Sequence, residues 1–217
     1  MKYFLIFFFC PLLLMAQELS PADADIFLAQ LTRERSAIPG VEKSFHEQKQ
    51  MALLSHPVTA EGTIAFQPPD QFRREVSGEN TSITVSNGET LWIYYPAMKE
   101  AEKYNLKAKG PVRDSIAAMV TSLNFKDLKR NFKYRIQKLN AGWEITLEPK
   151  SSALRRIFQQ MHITLDKQRR VSQLDLTAEN GDKTSISFHD EKEKRFPADY
   201  FSFTPPKDVN ISNPLGN

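Results

Sequence analysis

From position 41 onward, apolar and polar residues alternate over short runs, which is the period of a half-buried strand. Residues 41–54 open the series. Gly62, Ile64 and Phe66 then alternate with Thr63, Ala65 and Gln67, and Phe72, Arg74 and Val76 alternate with Arg73 and Glu75. Ile83 and Val85 lead into Ser86-Asn87-Gly88, and 91–95 returns as the paired strand. Asn-Gly suits that place because both positions tolerate the positive φ that a tight hairpin demands. The second half repeats the style. Residues 132–139 and 143–147 flank Asn140-Ala141-Gly142, 161–165 and 171–177 flank 166–170, and Asn180-Gly181-Asp182 precedes 184–188. Successive hairpins predict an antiparallel meander, hence a barrel or a strongly curved sheet.

Two segments follow the helical period instead. Ser20 is placed to cap a helix, Pro21 suits its first position and Asp23 its positive end; Ala24, Phe27, Leu28 and Leu31 then recur on one face before Pro39-Gly40. The second segment opens at Pro111, with Val112, Ile116, Met119, Val120 and Leu123 at helical spacing. Phe125, Leu128 and Phe132 stand where they could prolong it. The expected fold is therefore mainly β with α: an incomplete, half-open antiparallel barrel covered by an N-terminal helix and a central helical lid.

The first residues change the picture of where the chain works. Lys2, an apolar run over 4–15 and then Ala16 before Gln17 give the order charged, apolar, small, which predicts a secretory signal peptide over 1–16 and one domain over 17–217. The run of 12 residues is short of the ~20 that a membrane-spanning helix needs. Cys10, the single cysteine, lies inside this segment and has no small residue before it, so lipid attachment there is not expected. The mature domain must be held by its core rather than by disulfides.

Charge and chemistry exclude more than they suggest. A formal charge of +3, with acidic residues interspersed among the basic clusters, gives no reason to expect nucleic-acid binding. His46, His56, His162 and His189 show no metal-ligand spacing, and no nucleophile elbow, phosphate loop or zinc-protease motif occurs. Neither a cofactor nor an enzymatic activity is expected.

Three ordered motifs carry a resemblance. Phe45-His46-Glu47-Gln48, 62–69 and Phe72-Arg73 resemble the opening of the outer-membrane lipoprotein carrier (LolA) family. Ser86-Asn87-Gly88-Glu89-Thr90-Leu91-Trp92-Ile93-Tyr94-Tyr95-Pro96 is similar to that family's S-[ND]-G-x-x-[LV]-W-x-Y-x-P hairpin, and 201–206 looks like its closing F-x-F-x-P-P. The resemblance implies a periplasmic, monomeric carrier. It would take lipoproteins from an ABC-type release complex of the inner membrane to an acceptor in the outer membrane, their acyl chains lodged between sheet and lid. Such a cavity and lid would be lined by Phe45, Ile64, Phe66, Phe72, Arg74, Ile83, Val85, Trp92, Tyr94, Ile116, Met119, Val120 and Leu123. A filled core would show the same alternation. Carriage of another lipid or glycolipid, and a sensor or structural role in the envelope, are the competing readings.

Two positions depart from the family pattern. Pro68 stands where the family commonly has an arginine that latches the lid, and Arg74 where it commonly has an aromatic residue. Alternation puts Arg74 on the face of Phe72 and Val76, so its charge needs a carboxylate partner at a rim, or it serves as a substitute latch or a headgroup contact.

Overall fold

The computed structural model describes residues 17–107, 125–126 and 128–214. The N-terminal apolar run and the expected lid, with Ile116, Met119, Val120 and Leu123, lie outside the described residues. After a two-residue strand β1 (Gln17–Glu18) comes helix α1 (Pro21–Ala37). Eleven described strands follow in two groups. The first is β2 (Val41–Gln50), β3 (Val58–Gln67), β4 (Gln71–Val76), β5 (Ser82–Ser86), β6 (Thr90–Tyr95) and β7 (Glu100–Asn105). The second is β8 (Phe132–Leu139), β9 (Gly142–Pro149), β10 (Gln160–Leu165), β11 (Val171–Thr177) and β12 (Lys183–Glu193), and β13 (Asn210–Ser212) closes the chain.

All the described strands belong to one sheet, ordered β1-β8-β9-β10-β11-β12-β2-β3-β4-β5-β6-β7-β13. Its two ends do not pair with one another, so the sheet is unclosed. Each meander is built from neighbours in sequence, and the two are joined by β12 against β2, antiparallel from Lys183 opposite Gln50 to Phe188 opposite Phe45. Among the described strands only β13 lies parallel to its neighbour, β7.

Helix α1 forms where the cap and period place it. Ser20 Oγ accepts a hydrogen bond from the Asp23 N–H at 3.2 Å, and Pro21 occupies the first turn. Ala24, Phe27, Leu28 and Leu31 are buried against Ile136, Ile145, Leu147, Met161, Ile163 and Leu165 of β8–β10. The face of the sheet that carries α1 is the inner face. A second apolar cluster, Val41, Phe45, Ile64, Phe66, Phe72, Val76, Leu91, Tyr104 and Leu106, lies on the same face beyond the seam, and Ile186 and Phe188 touch both.

Three details differ from the alternation reading. β2 ends at Gln50 rather than near Leu54, because Ala52-Leu53-Leu54 does not alternate and pairing with β3 stops at Lys49 opposite Val58. Phe132 does not prolong a helix; it opens β8, and Phe125 before it sits at φ 58°, a left-handed backbone that no helix continues through. β12 extends five residues beyond Phe188, across a bulge between His189 and Lys192 where Asp190 has φ 55°.

Gly62 shows how tightly the sheet bends. A Cβ there would lie 1.8 Å from the Glu75 carbonyl oxygen, so β3 and β4 can approach only with hydrogen at that position. Gly62→Ala is expected to cost about 1–3 kcal/mol of stability. Denaturant titration should show a lower midpoint at unchanged slope.

Candidate functional site

Strand register assigns the inner face row by row. Val41 opposes Phe66, Phe66 opposes Phe72, Phe72 opposes Ser86, and the row continues through Leu91 and Tyr104. The next inner row runs Lys43, Ile64, Arg74, Thr84, Ile93 and Glu102, and the one after it Phe45, Gly62, Val76 and Ser82. Five of the expected lining residues, Phe45, Ile64, Phe66, Phe72 and Arg74, thus share the inner face. Phe66 and Phe72 are fully buried there.

Ile83, Val85, Trp92 and Tyr94 stand on the opposite face. Thr84 and Ser86, not Ile83 and Val85, point inward from β5, and Leu91 and Ile93 do so from β6. The outward residues are covered by the C-terminal segment. Phe203 packs against Trp92 and Tyr94 with ring centroids 5.7 and 5.3 Å away. Tyr200 and Phe201 pack with Phe196, and the Arg73 guanidinium lies 5.3 Å over the Tyr200 ring. The closing F-x-F motif is therefore a strap over the outer face.

The inner face is not uniformly apolar. Arg74 donates through Nη2 to Glu47 Oε2 at 2.9 Å and lies 4.5 Å above the Phe45 ring. Both members of the pair keep partial access to solvent. Pro68 lies in the turn between β3 and β4, at the far end of the strands from the Glu47 carboxylate.

At the seam a second charge cluster is buried. Arg35, in the last turn of α1, donates to Glu191 Oε1 at 2.9 Å and to the Arg169 carbonyl at 2.8 Å. Lys43 Nζ lies 2.5 Å from Glu191 Oε2 and donates to the Val171 carbonyl at 2.7 Å. The β12 bulge is what turns Glu191 toward these two cations. Burial pushes the Glu191 carboxyl up, but Lys43 and then Arg35 outweigh it, and it titrates below its ordinary 4.5. Burial holds the Lys43 ammonium below its ordinary value, with Glu191 opposing. Sequence reading passed over this cluster, although a lysine at the inward phase of Val41-x-Lys43-x-Phe45 marks one end of it.

At the end of the sheet where β2 stops and β3 begins, here the lower rim, a groove of about 630 Å³ opens. Lys49 and Thr184 line it from β2 and β12, Leu176 from β11, and Arg156, Ile157 and Phe158 from the segment after the one-turn helix Ser152–Arg155. Among the described residues no group of three His, Cys, Asp or Glu side chains gathers as a metal site. No helix among them is long and apolar enough to cross a membrane.

An unclosed antiparallel sheet with a helix against one half of its inner face places the chain among the half-open barrels. The chain belongs to the LolA family: the family model described as outer membrane lipoprotein carrier protein LolA matches residues 37–204. The outer-membrane lipoprotein carrier protein of Serratia proteamaculans is 25% identical over 174 residues, spanning 78% of this chain and 81% of its own. That of Yersinia enterocolitica is 24% identical over 190 residues, spanning 86% and 89%. An uncharacterized conserved protein from Thermus thermophilus shares the fold at a TM-score of 0.56 and 11% identity, over 88% of this chain and 99% of that one. The family is one of carriers, not enzymes.

Glu191→Gln leaves Lys43 and Arg35 buried without a counter-charge and is expected to cost about 3–5 kcal/mol at neutral pH. Because the folded-state carboxyl titrates below its ordinary 4.5, its contribution is fully present above that pH and is lost as pH falls through the folded value. Urea titrations at a series of pH values should therefore show the gap between wild type and variant narrowing in acid.

Proposed function

We propose that the chain, after removal of residues 1–16, is a periplasmic carrier that holds the acyl chains of lipoproteins against the inner face of its half-barrel. It would receive them from an ABC-type release complex in the inner membrane and yield them to an acceptor in the outer membrane. The observation that carries this reading is the match to the carrier family over 37–204, with relatives named for that task along most of their length. The apolar row Val41, Phe66, Phe72, Leu91 and Tyr104 supports it, since it gives long alkyl chains somewhere to leave water.

The physics requires such a surface. Each methylene that leaves water gains about 0.8 kcal/mol, so a lipoprotein with several acyl chains does not cross an aqueous gap uncovered. Delivery in turn requires moderate affinity. Inner-face residues that already pack on one another meet that need, because cargo replaces contacts rather than filling a void.

Arg74 and Glu47 on the same face favour a second reading, a carrier for a different lipid with a charged or sugar headgroup. Mass spectrometry of protein recovered from the periplasm separates the two: co-purified lipoprotein supports the first, free lipid or glycolipid the second, and neither sinks both. A substitution on the inner face, at the seam between the two apolar clusters, adds a direct test. Ile186 is half-buried and touches both apolar clusters. Ile186→Glu is expected to lower binding of a fluorescent acyl probe by at least about tenfold, since a carboxylate among apolar side chains costs several kcal/mol. The melting temperature is read on the same sample. Unchanged probe binding in a folded variant counts against the inner face as the binding surface.

A further inference from the structure

The lower rim carries a surface that neither the core nor the groove uses. The β2–β3 loop projects Leu53, 94% exposed, beside Leu54, 44% exposed, and Val58 at the foot of β3 is 45% exposed. The loop is held in shape: Leu54 N–H donates to the Met51 carbonyl at 3.1 Å, and Ala52 N–H to Asp182 Oδ1 at 3.0 Å on the β11–β12 turn. Two adjacent leucines are thus presented to solvent on a fixed turn.

The cations of this rim are of two kinds. Lys99 and Lys129 are matched to carboxylates, those of Asp208 and Asp25. At the lower rim Lys150 and Arg155 bond to backbone carbonyls, which leaves their charge in place. Arg156 and Lys183 are exposed and pair with no carboxylate among the described residues. The acids nearby are Glu148, which pairs with Arg135 at 3.7 Å, and Glu179 and Asp182, of which Asp182 is engaged by Ala52 and Asn180.

We propose that the lower rim seats on a membrane surface bearing anionic phospholipid headgroups. Leu53 and Leu54 enter the interface, and Lys150, Arg155, Arg156 and Lys183 meet the phosphates. An apolar loop tip beside unneutralised cations is the combination that binds such an interface. A protein partner is the poorer fit, because a stable protein interface takes about 800 Å² from each side and two leucines on one turn offer no such continuous face. The groove opens at the same rim, so a seated molecule turns its mouth to the bilayer. In that respect the inference deepens the carrier reading, yet its measurement needs no cargo.

The test is flotation of the purified mature protein with protein-free vesicles of phosphatidylethanolamine and phosphatidylglycerol, beside vesicles of phosphatidylcholine alone. The protein should float with the anionic vesicles and be released by salt. Leu53→Ser with Leu54→Ser should lower the partition coefficient by at least about tenfold. Lys150→Gln with Lys183→Gln should lower it by about tenfold and flatten its salt dependence. Both double variants change exposed side chains, and their melting curves and acyl-probe binding should match wild type. Absence of flotation, or flotation unchanged by either double variant or by the neutral lipid, overturns the proposal. So does binding confined to native inner-membrane vesicles and abolished by protease, which assigns the rim to a protein. Loss of acyl-probe binding by wild type, with flotation intact, would instead reject the carrier reading and leave the membrane site standing.

Discussion

The pairing of β12 with β2 holds two otherwise separate meanders in one sheet, and everything on the inner face depends on it. Without that seam, β8–β11 would form one sheet with α1 on its face, and β2–β7 another with an uncovered apolar row. The ion cluster of Arg35, Glu191 and Lys43 fixes the seam from within, linking the end of the helix to both joining strands. Buried ion pairs seldom add much net stability over an apolar replacement. Here their geometric role is clear: the cluster sets the helix end against one place on the seam, so α1 fills one half of the inner face and leaves the other to different contacts.

That division explains why the inner face mixes apolar rows with charges. Under α1 the lining is mostly apolar, Ile145, Leu147, Ile163 and Leu165 among it, with the Tyr134 hydroxyl donating to Asp25 of the helix, and packs as an ordinary core. Beyond the seam, Lys43, Arg74, Thr84 and Glu102 interleave with the aromatic row. Each charge there has a partner on the face, Arg74 with Glu47 and Glu102 with the Tyr104 hydroxyl. A surface of this kind can be apolar along a line and still keep its affinity for hydrocarbon below that of a fully greasy wall.

Much of the fold was legible because hairpin turns and alternation are local signals. The run from Leu91 to Tyr95, the Asn87-Gly88 turn and the bounds of β8 and β11 all follow from neighbours in sequence. What could not be read is which face each apolar residue takes when both faces are covered. On β5, Ile83 and Val85 look like core positions and Thr84 and Ser86 like solvent positions, yet the strap at 194–206 reverses the assignment. Of the nine expected lining residues among those described, the four on β5 and β6 went to the outer face for this one reason. Glu191 was hidden for another: a bulge shifts its phase, and only the partner strand reveals the shift. The short edge strands β1 and β13 carry no apolar pattern and are defined by their neighbours alone.

The seam also sets the order in which the molecule can assemble. The Ser187 hydroxyl and the His46 carbonyl that meet across it are 141 residues apart in the chain. Strand β2, among the first to emerge during synthesis, has its long partner among the last, so the joining step closes a very large loop. High contact order of this kind places folding in the slow range of about milliseconds to seconds. Until β12 arrives, β2 presents an unpaired edge, and the nascent chain remains open along its length rather than locking into a domain before synthesis is complete.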